Sequence, residues 1–295
     1  MFGLIRRAVN RLGRSHTAAK MRVYCVTHEA PLVPAALTDF IIGIGDYHPP
    51  IRGRGTHISA LDSYWDRMRP YAYGAAGNYV IPKAMDVGGS TELTGIFSHR
   101  KIIVKTQIGR PSPNSAVYFD IDLREVAGLP HSEIEPRTGF DFLIGHPLRC
   151  RHGVLAQYGE DHHAIDLLDY SSMAVETAIL PADEAQAFAD EQFFIPGGCE
   201  LGVYPTAWVR PVLEGLARLG REFITRHGDR ILTYDSYQVR AVGFLAERLG
   251  SYLLLSELRK RYPEGIPREL CGHLCVIVPP GETYEGAKVV SLPTV

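Results

Sequence analysis

Apolar residues fall in short blocks through the first half of the chain and at helical spacing through much of the second. Arg22–Thr27 is β-branched and aromatic, which predicts a first strand. The proline-containing stretch His28–Pro34 neither continues a strand nor opens a long helix cleanly, so it reads as a loop. Phe40–Ile44 predicts a second short strand, and residues 46–60, with Pro49, Pro50, Gly53 and Gly55, an irregular loop. Tyr64–Tyr73 mixes aromatic and charged residues without a decisive period. Gly88–Gly95 reads as a glycine-rich turn running into a helix start, with Ser90 or Thr91 as cap. Lys101–Thr106, Ala116–Ile121 and Asp141–Gly145 predict further strands.

Helical signals then strengthen. Pro181–Glu191 opens like a helix N-terminus. Val209, Val212, Leu216, Leu219 and Phe223 recur at steps of three and four, predicting an amphipathic helix that ends near Gly228. Ser236 is placed to cap a second helix running to about Arg261. Gly272–Val278 predicts a closing strand. Strands interleaved with helices argue for an α/β domain with a mostly parallel central sheet flanked by helices. The chain divides into an N-terminal arm (1–20), one domain (21–278) without an internal linker, and a peripheral tail (279–295).

Composition narrows the function classes. The 31 basic and 33 acidic residues of the 295-residue chain leave a formal charge of −2, so a nucleic-acid partner is not expected. The cysteines (Cys25, Cys150, Cys199, Cys271, Cys275) are scattered and lack finger spacing, which predicts free thiols in a reducing cytoplasm. No apolar run approaches the roughly 18 residues a membrane span needs. The arm carries Arg6, Arg7, Arg11, Arg14 and Lys20 with apolar residues at partly helical spacing. It reads as a basic amphipathic helix on an anionic membrane surface, or as a disordered or core-packed segment.

Several familiar motifs are missing. There is no Gly-x-x-x-x-Gly-Lys-Ser/Thr loop, no Gly-x-Gly-x-x-Gly after the first strand and no Gly-x-Ser-x-Gly elbow. Candidate chemistry lies elsewhere. Asp120 and Asp122 close an apolar strand and project from one face, an arrangement for a divalent cation or for capping a turn. Glu200 follows Pro196-Gly197-Gly198-Cys199, where glycines allow close approach to a ligand or a tight turn. Arg240 and Glu247, seven apart, share one face of the last helix and require partners or a ligand if buried. His162-His163 precede an apolar helix-like run, a surface placement or, for one of them, a site.

Taken together, the segments resemble a family of bacterial capsular-polysaccharide and O-antigen glycosyltransferases. The resemblance rests on Val26-Thr27-His28-Glu29 with Pro31 and Pro34, on Gly77-Asn78, Lys83 and Glu92-Leu93-Thr94-Gly95, and on Gln157-Tyr158 with His162. The late segment Arg240, Gly243-Phe244, Glu247-Arg248-Leu249 matches most closely. The family's His-Tyr-Arg-Arg strand is absent. Val117–Asp122 occupies that region and looks like the Asp-x-Asp strand of glycogenin-like and lipopolysaccharide galactosyltransferases.

Both groups imply a GT-A fold and transfer of a sugar from a nucleotide-sugar, most simply a UDP-sugar, to a glycan or lipid-linked acceptor. By that resemblance Thr27, His28, Asn78, Lys83, Glu92 and Thr94 hold the nucleotide, and Asp120 and Asp122 bind Mn²⁺ or Mg²⁺. Arg240 stabilises the leaving group, and Glu200 or Glu247 stands near the anomeric carbon. The expected place of work is the cytoplasm, peripheral to the inner membrane face. A non-catalytic sugar-nucleotide or glycan-binding protein and a metal-dependent phosphohydrolase are the alternatives.

Overall fold

The computed structural model describes residues 20–50, 54–89 and 91–285; the basic arm, apart from Lys20, lies outside them. A ten-stranded sheet runs through the domain. Its strands are β1 (Met21–Thr27), β2 (Phe40–Gly43), β3 (Gly55–His57), β4 (Leu93–Ser98), β5 (Lys101–Val104), β6 (Arg110–Pro111), β7 (Phe119–Asp122), β8 (Ile144–Gly145), β11 (Gly202–Pro205) and β12 (Cys271–Val278). The main order is β3-β2-β1-β4-β5-β12-β7-β6, with β11 on β4 and β8 on β12. A separate two-stranded ribbon pairs β9 (Leu148–Arg149) with β10 (Phe193–Phe194).

β1 pairs in parallel with both β2 and β4, and β2 with β3. Because β1 lies between two strands and is covered on both faces, it reads as a near-continuous apolar run. Its side chains alternate between two cores: Tyr24 and Val26 enter one cluster, Val23 and Cys25 the other.

The short helices α1 (Ile58–Leu61), α2 (Ser63–Arg67), α3 (Arg69–Ala72), α4 (Gly74–Asn78) and α5 (Ile81–Gly88) follow β3. α6 (Leu123–Ala127) follows β7, and α7 (Val154–Asp161), α8 (Ala164–Glu176) and α9 (Ala185–Asp190) precede β11. The long helices are α10 (Thr206–Ile231) and α11 (Ala241–Arg261).

Several boundaries differ from the sequence expectation, each for a local reason. The segment read as entering a helix at Gly88–Gly95 instead delivers β4, because Leu93–Ser98 finds six register partners in β1. Asp235, not Ser236, caps the approach to α11, its Oδ1 accepting from the N–H groups of Tyr237 and Gln238. The β3 strand and the start of α1 emerge from the stretch read as irregular loop. The described part of the tail is tied down: Arg110 donates to the Glu282 carbonyl, and Asn114 to that of Tyr284. All five cysteines are buried free thiols, as the sequence implied.

Strand direction decides what meets at the site. Val26 pairs with Ser98, Ser98 with Lys101, Lys101 with Val276 and Val276 with Asp120, one continuous row near the carboxyl edge of β1, β4, β12 and β7. The strand order reverses between β1 and β4, the place where open α/β sheets present a ligand crevice.

Candidate active site

The crevice at that reversal holds a cavity of about 510 Å³. His28, Asn78, Glu200, Arg240 and Glu247 all line it. They arrive from four parts of the chain, Arg240 and Glu247 together at the start of α11, and small residues make the approach possible. A Cβ at Gly77 would fall 2.3 Å from Val26 Cγ1, so glycine lets α4 lie directly on β1 and carry Asn78 inward. A Cβ at Gly243 would fall 2.7 Å from the Ala72 carbonyl, so α11 packs closely on the end of α3 and brings Arg240 over Tyr73. Gly197 and Gly198 have φ of +83° and +51°, a turn open to glycine at little cost.

Glu200 sits at the end of that turn. Asn78 Nδ2 donates to its Oε2 at 3.1 Å, while its Oε1 is buried without a partner. Burial, followed by the negative charge of Glu247, pushes its carboxyl up to about 8, with the Asn78 hydrogen bond opposing. Glu247 has a partner on each oxygen: Oε1 accepts from the Gly197 N–H at 2.9 Å and Oε2 from Arg248 Nη1 at 3.0 Å. Arg248 also reaches Gln157 Oε1 at 3.3 Å.

Cationic side chains line the same cavity. Arg100 and Lys101, just past the carboxyl end of β4, line the cavity with Arg240. Arg240 lies 5.0 Å from the ring centre of Tyr73 and 4.7 Å from that of Tyr237. No carboxylate among the described residues pairs with it. Arg100 stands 4.7 Å from the Tyr284 ring centre, and Lys101 donates to the Tyr118 hydroxyl at 3.2 Å. Tyr73 holds φ +48° and ψ −118°, backbone strain of a kind that concentrates at functional sites. Thr27 is buried; its hydroxyl binds the Glu29 carbonyl and lies 3.3 Å from His99 Nδ1. Burial holds His99 toward its neutral form, with Glu29 opposing.

Of the residues expected at the nucleotide, Thr27 is buried and does not line the cavity, and three more are elsewhere. Lys83 pairs with Asp62 at 2.8 Å on the α5 surface. Glu92 is exposed at the amino end of β4, and Thr94 is buried there against the Thr206 hydroxyl at 2.7 Å. Thr94 precedes Ser98 by four residues, about 13 Å along a strand, so it stands far from the carboxyl edge.

Asp120 and Asp122 line a second cavity of about 540 Å³ with Arg110, Arg124 and Glu125. The row of register partners puts Asp120 two strands, about 10 Å, from Lys101. Asp122 is the N-cap of α6 in a reciprocal capping box with Glu125, the turn-capping alternative its sequence left open. Asp120 Oδ2 accepts from the Tyr284 N–H at 3.1 Å, leaving Oδ1 buried without a partner. Two arginines share the cavity, and among the described residues no group of three or more His, Cys, Asp or Glu side chains is placed to hold a metal ion. This donor set fits Mn²⁺ or Mg²⁺ poorly.

The sequence reading did not single out Tyr73, Arg100, Lys101, Tyr118, Tyr237 or Tyr284. The available signal was Ser98-His99-Arg100-Lys101, a basic run at the end of the strand beside β1, hidden because that strand was read as a helix start.

No protein-family model matches the chain, and no curated protein matches it. Among solved structures, the chain is similar to an apo structure described as the bifunctional glycosyltransferase WbbM, with TM-score 0.63 and 15% identity over 92% of this chain. The chain spans 48% of that neighbour's length. The likeness places the domain in a glycosyltransferase-type fold.

Proposed function

We propose that the protein is a nucleotide-sugar-dependent glycosyltransferase that adds a sugar to a surface glycan or its lipid-linked precursor. The observation that carries this reading is one cavity, at the sheet's reversal point, that joins a buried carboxyl with one oxygen lacking a partner (Glu200) to three cations, Arg100, Lys101 and Arg240, that no carboxylate among the described residues pairs with. The fold likeness supports the reaction class, the cations of the cavity support a diphosphate-bearing donor, and the sugar-nucleotide and glycan identities rest on the sequence resemblance.

In this reading the donor, most simply a UDP-sugar, lies with its diphosphate against Arg100, Lys101 and Arg240, and with His28 at the mouth of the β1 loop. Fixed positive charge there stabilises the negative charge that builds on the leaving diphosphate. The bond from the anomeric carbon to the diphosphate oxygen breaks, and a bond from that carbon to an acceptor hydroxyl forms. The hydroxyl proton passes to Glu200, whose raised carboxyl is matched to a base working near neutral pH. Mn²⁺ or Mg²⁺, where bound, would add Lewis-acid stabilisation of the diphosphate. No step here is assigned to it, because Asp120 and Asp122 form a poor donor set.

A thermal-shift screen of nucleotide sugars, each with and without Mn²⁺, tests the reading. A donor-specific rise in Tm that Arg240→Met removes supports it. The absence of any shift across UDP-, GDP-, CMP- and dTDP-sugars overturns it.

A further inference from the structure

We propose that Glu247 is a positioning residue, not the reacting base: it clamps the Gly197–Gly198 turn that carries Glu200 and aims that side chain into the cavity. The inference deepens the glycosyltransferase reading and rests on it for the role of Glu200.

Both carboxylate oxygens of Glu247 hold a partner. One takes the Gly197 N–H at 2.9 Å, and the other takes Arg248 at 3.0 Å. Arg248 is itself 8% exposed, packed 5.1 Å from the Phe194 ring centre and 5.6 Å from that of Tyr158, and bonded to Gln157. The clamp therefore links α11 to α7 and to the strand β10 just ahead of the turn. The turn also presses on α11 directly. A Cβ at Gly198 would lie 2.7 Å from the Glu247 carbonyl and 2.9 Å from the Ser251 nitrogen. Tyr204 fastens the far side, its hydroxyl 2.8 Å from the Gly198 carbonyl and 2.7 Å from that of Leu201. Protonating either oxygen would weaken a bond that Glu247 already holds, to the Gly197 N–H or to Arg248, so taking the acceptor's proton would loosen the clamp.

The same placement gives Glu247 an electrostatic role. The groups facing Glu200 are Asn78 and Tyr79 from α4 and its end, Tyr170 from α8, Cys199 from its own turn, Tyr204 from β11, and Glu247 from α11. Burial keeps the three tyrosines and the thiol neutral. Glu247 is then the charged neighbour among them, and it favours the protonated form of Glu200.

Infrared titration of the full-length protein tests this independently of turnover. The buried carboxyl band of Glu200 is identified as the one that Glu200→Gln removes. Its midpoint is expected near 8 in the parent and lower by at least about half a unit in Glu247→Gln, which keeps an acceptor for the Gly197 N–H but removes the charge. Hydrolysis of UDP-glucose and UDP-galactose with water as acceptor gives the second readout. Glu247→Gln is expected to lose less than about tenfold in kcat, with the acid limb of its pH profile moved down by the same amount. Glu247→Ala, which frees the turn, is expected to lose about a hundredfold, with KM for the donor little changed.

An unmoved Glu200 midpoint in both variants overturns the inference. So does a Glu247→Gln variant as inactive as Glu200→Gln, since that would make Glu247 a reacting group. Full turnover in Glu200→Gln, or no hydrolysis of either donor by the parent, counts against the glycosyltransferase reading, while the band shift still decides the role of Glu247. If Glu247→Ala fails to fold, Glu247→Gln alone decides.

Discussion

Glu200 is costly to the fold in the state that would make it useful. Its carboxyl is held at about 8, first by burial and then by Glu247. Between the ordinary carboxylate range and about pH 8 the folded chain keeps a proton that the unfolded chain releases, so its contribution to stability falls as pH rises through that window. Glu200→Gln escapes this loss. Its Tm is expected to match the parent's near about pH 5 and to exceed it by a growing margin toward about pH 9, measured by calorimetry in matched buffers. The same variant is expected to lose roughly 10²–10⁴ in turnover. Arg240→Met, which keeps the stem that packs over Tyr73 but not the charge, should cost about 10² in kcat/KM; unchanged turnover would remove Arg240 from the diphosphate wall. Five residues singled out in the sequence do meet in one cavity: His28, Asn78, Glu200, Arg240 and Glu247. Lys83, Glu92 and Thr94 do not. The family resemblance groups them with the others, but the direction of β4 sends Glu92 and Thr94 to the opposite edge of the sheet, and Asp62 captures Lys83.

At the level of elements, the turns that deliver these residues tolerate little change. Gly198→Ala meets the backbone of α11 within 3 Å at a positive φ. It is expected to cost about 1–3 kcal/mol by chemical denaturation and to lower turnover with it. A value within 0.5 kcal/mol of the parent would show that the turn yields easily. Asp122 separates the capping role from the metal role. Asp122→Asn retains a good cap and should change little, whereas Asp122→Ala should lose about 1 kcal/mol of stability. A loss of orders of magnitude in turnover for Asp122→Asn with added Mn²⁺ would instead restore the pair as metal ligands. The long elements were legible because their periodicity is sustained. The helices expected around 209–228 and up to Arg261 appear as Thr206–Ile231 and Ala241–Arg261. Among the short ones, β2, β5, β7 and β8 fall in or overlap stretches whose apolar, β-branched runs predict strands. β3 and β11 have three and four residues and exist through pairing with distant strands, and β4 is masked by the glycines before it.

On the scale of the whole molecule, the site exists because the sheet reverses its order between β1 and β4 and both strands end there. The hairpin from β4 to β5 sets Arg100 and Lys101 at that edge, and α4, α11 and the Gly197–Gly198 turn close the other sides. The tail segment 282–285 completes the rim, with Tyr284 packed against Arg100 and tied by its N–H to Asp120. Among the described residues no helix is long and apolar enough to cross a membrane. The most direct test of the central claim is nucleoside diphosphate release from a panel of nucleotide sugars by the parent and by Glu200→Gln, each with EDTA and with Mn²⁺. Release or transfer from a specific donor by the parent, falling to background in Glu200→Gln, is the expected result. Equal release by both proteins, or none from any donor by the parent, would contradict the account.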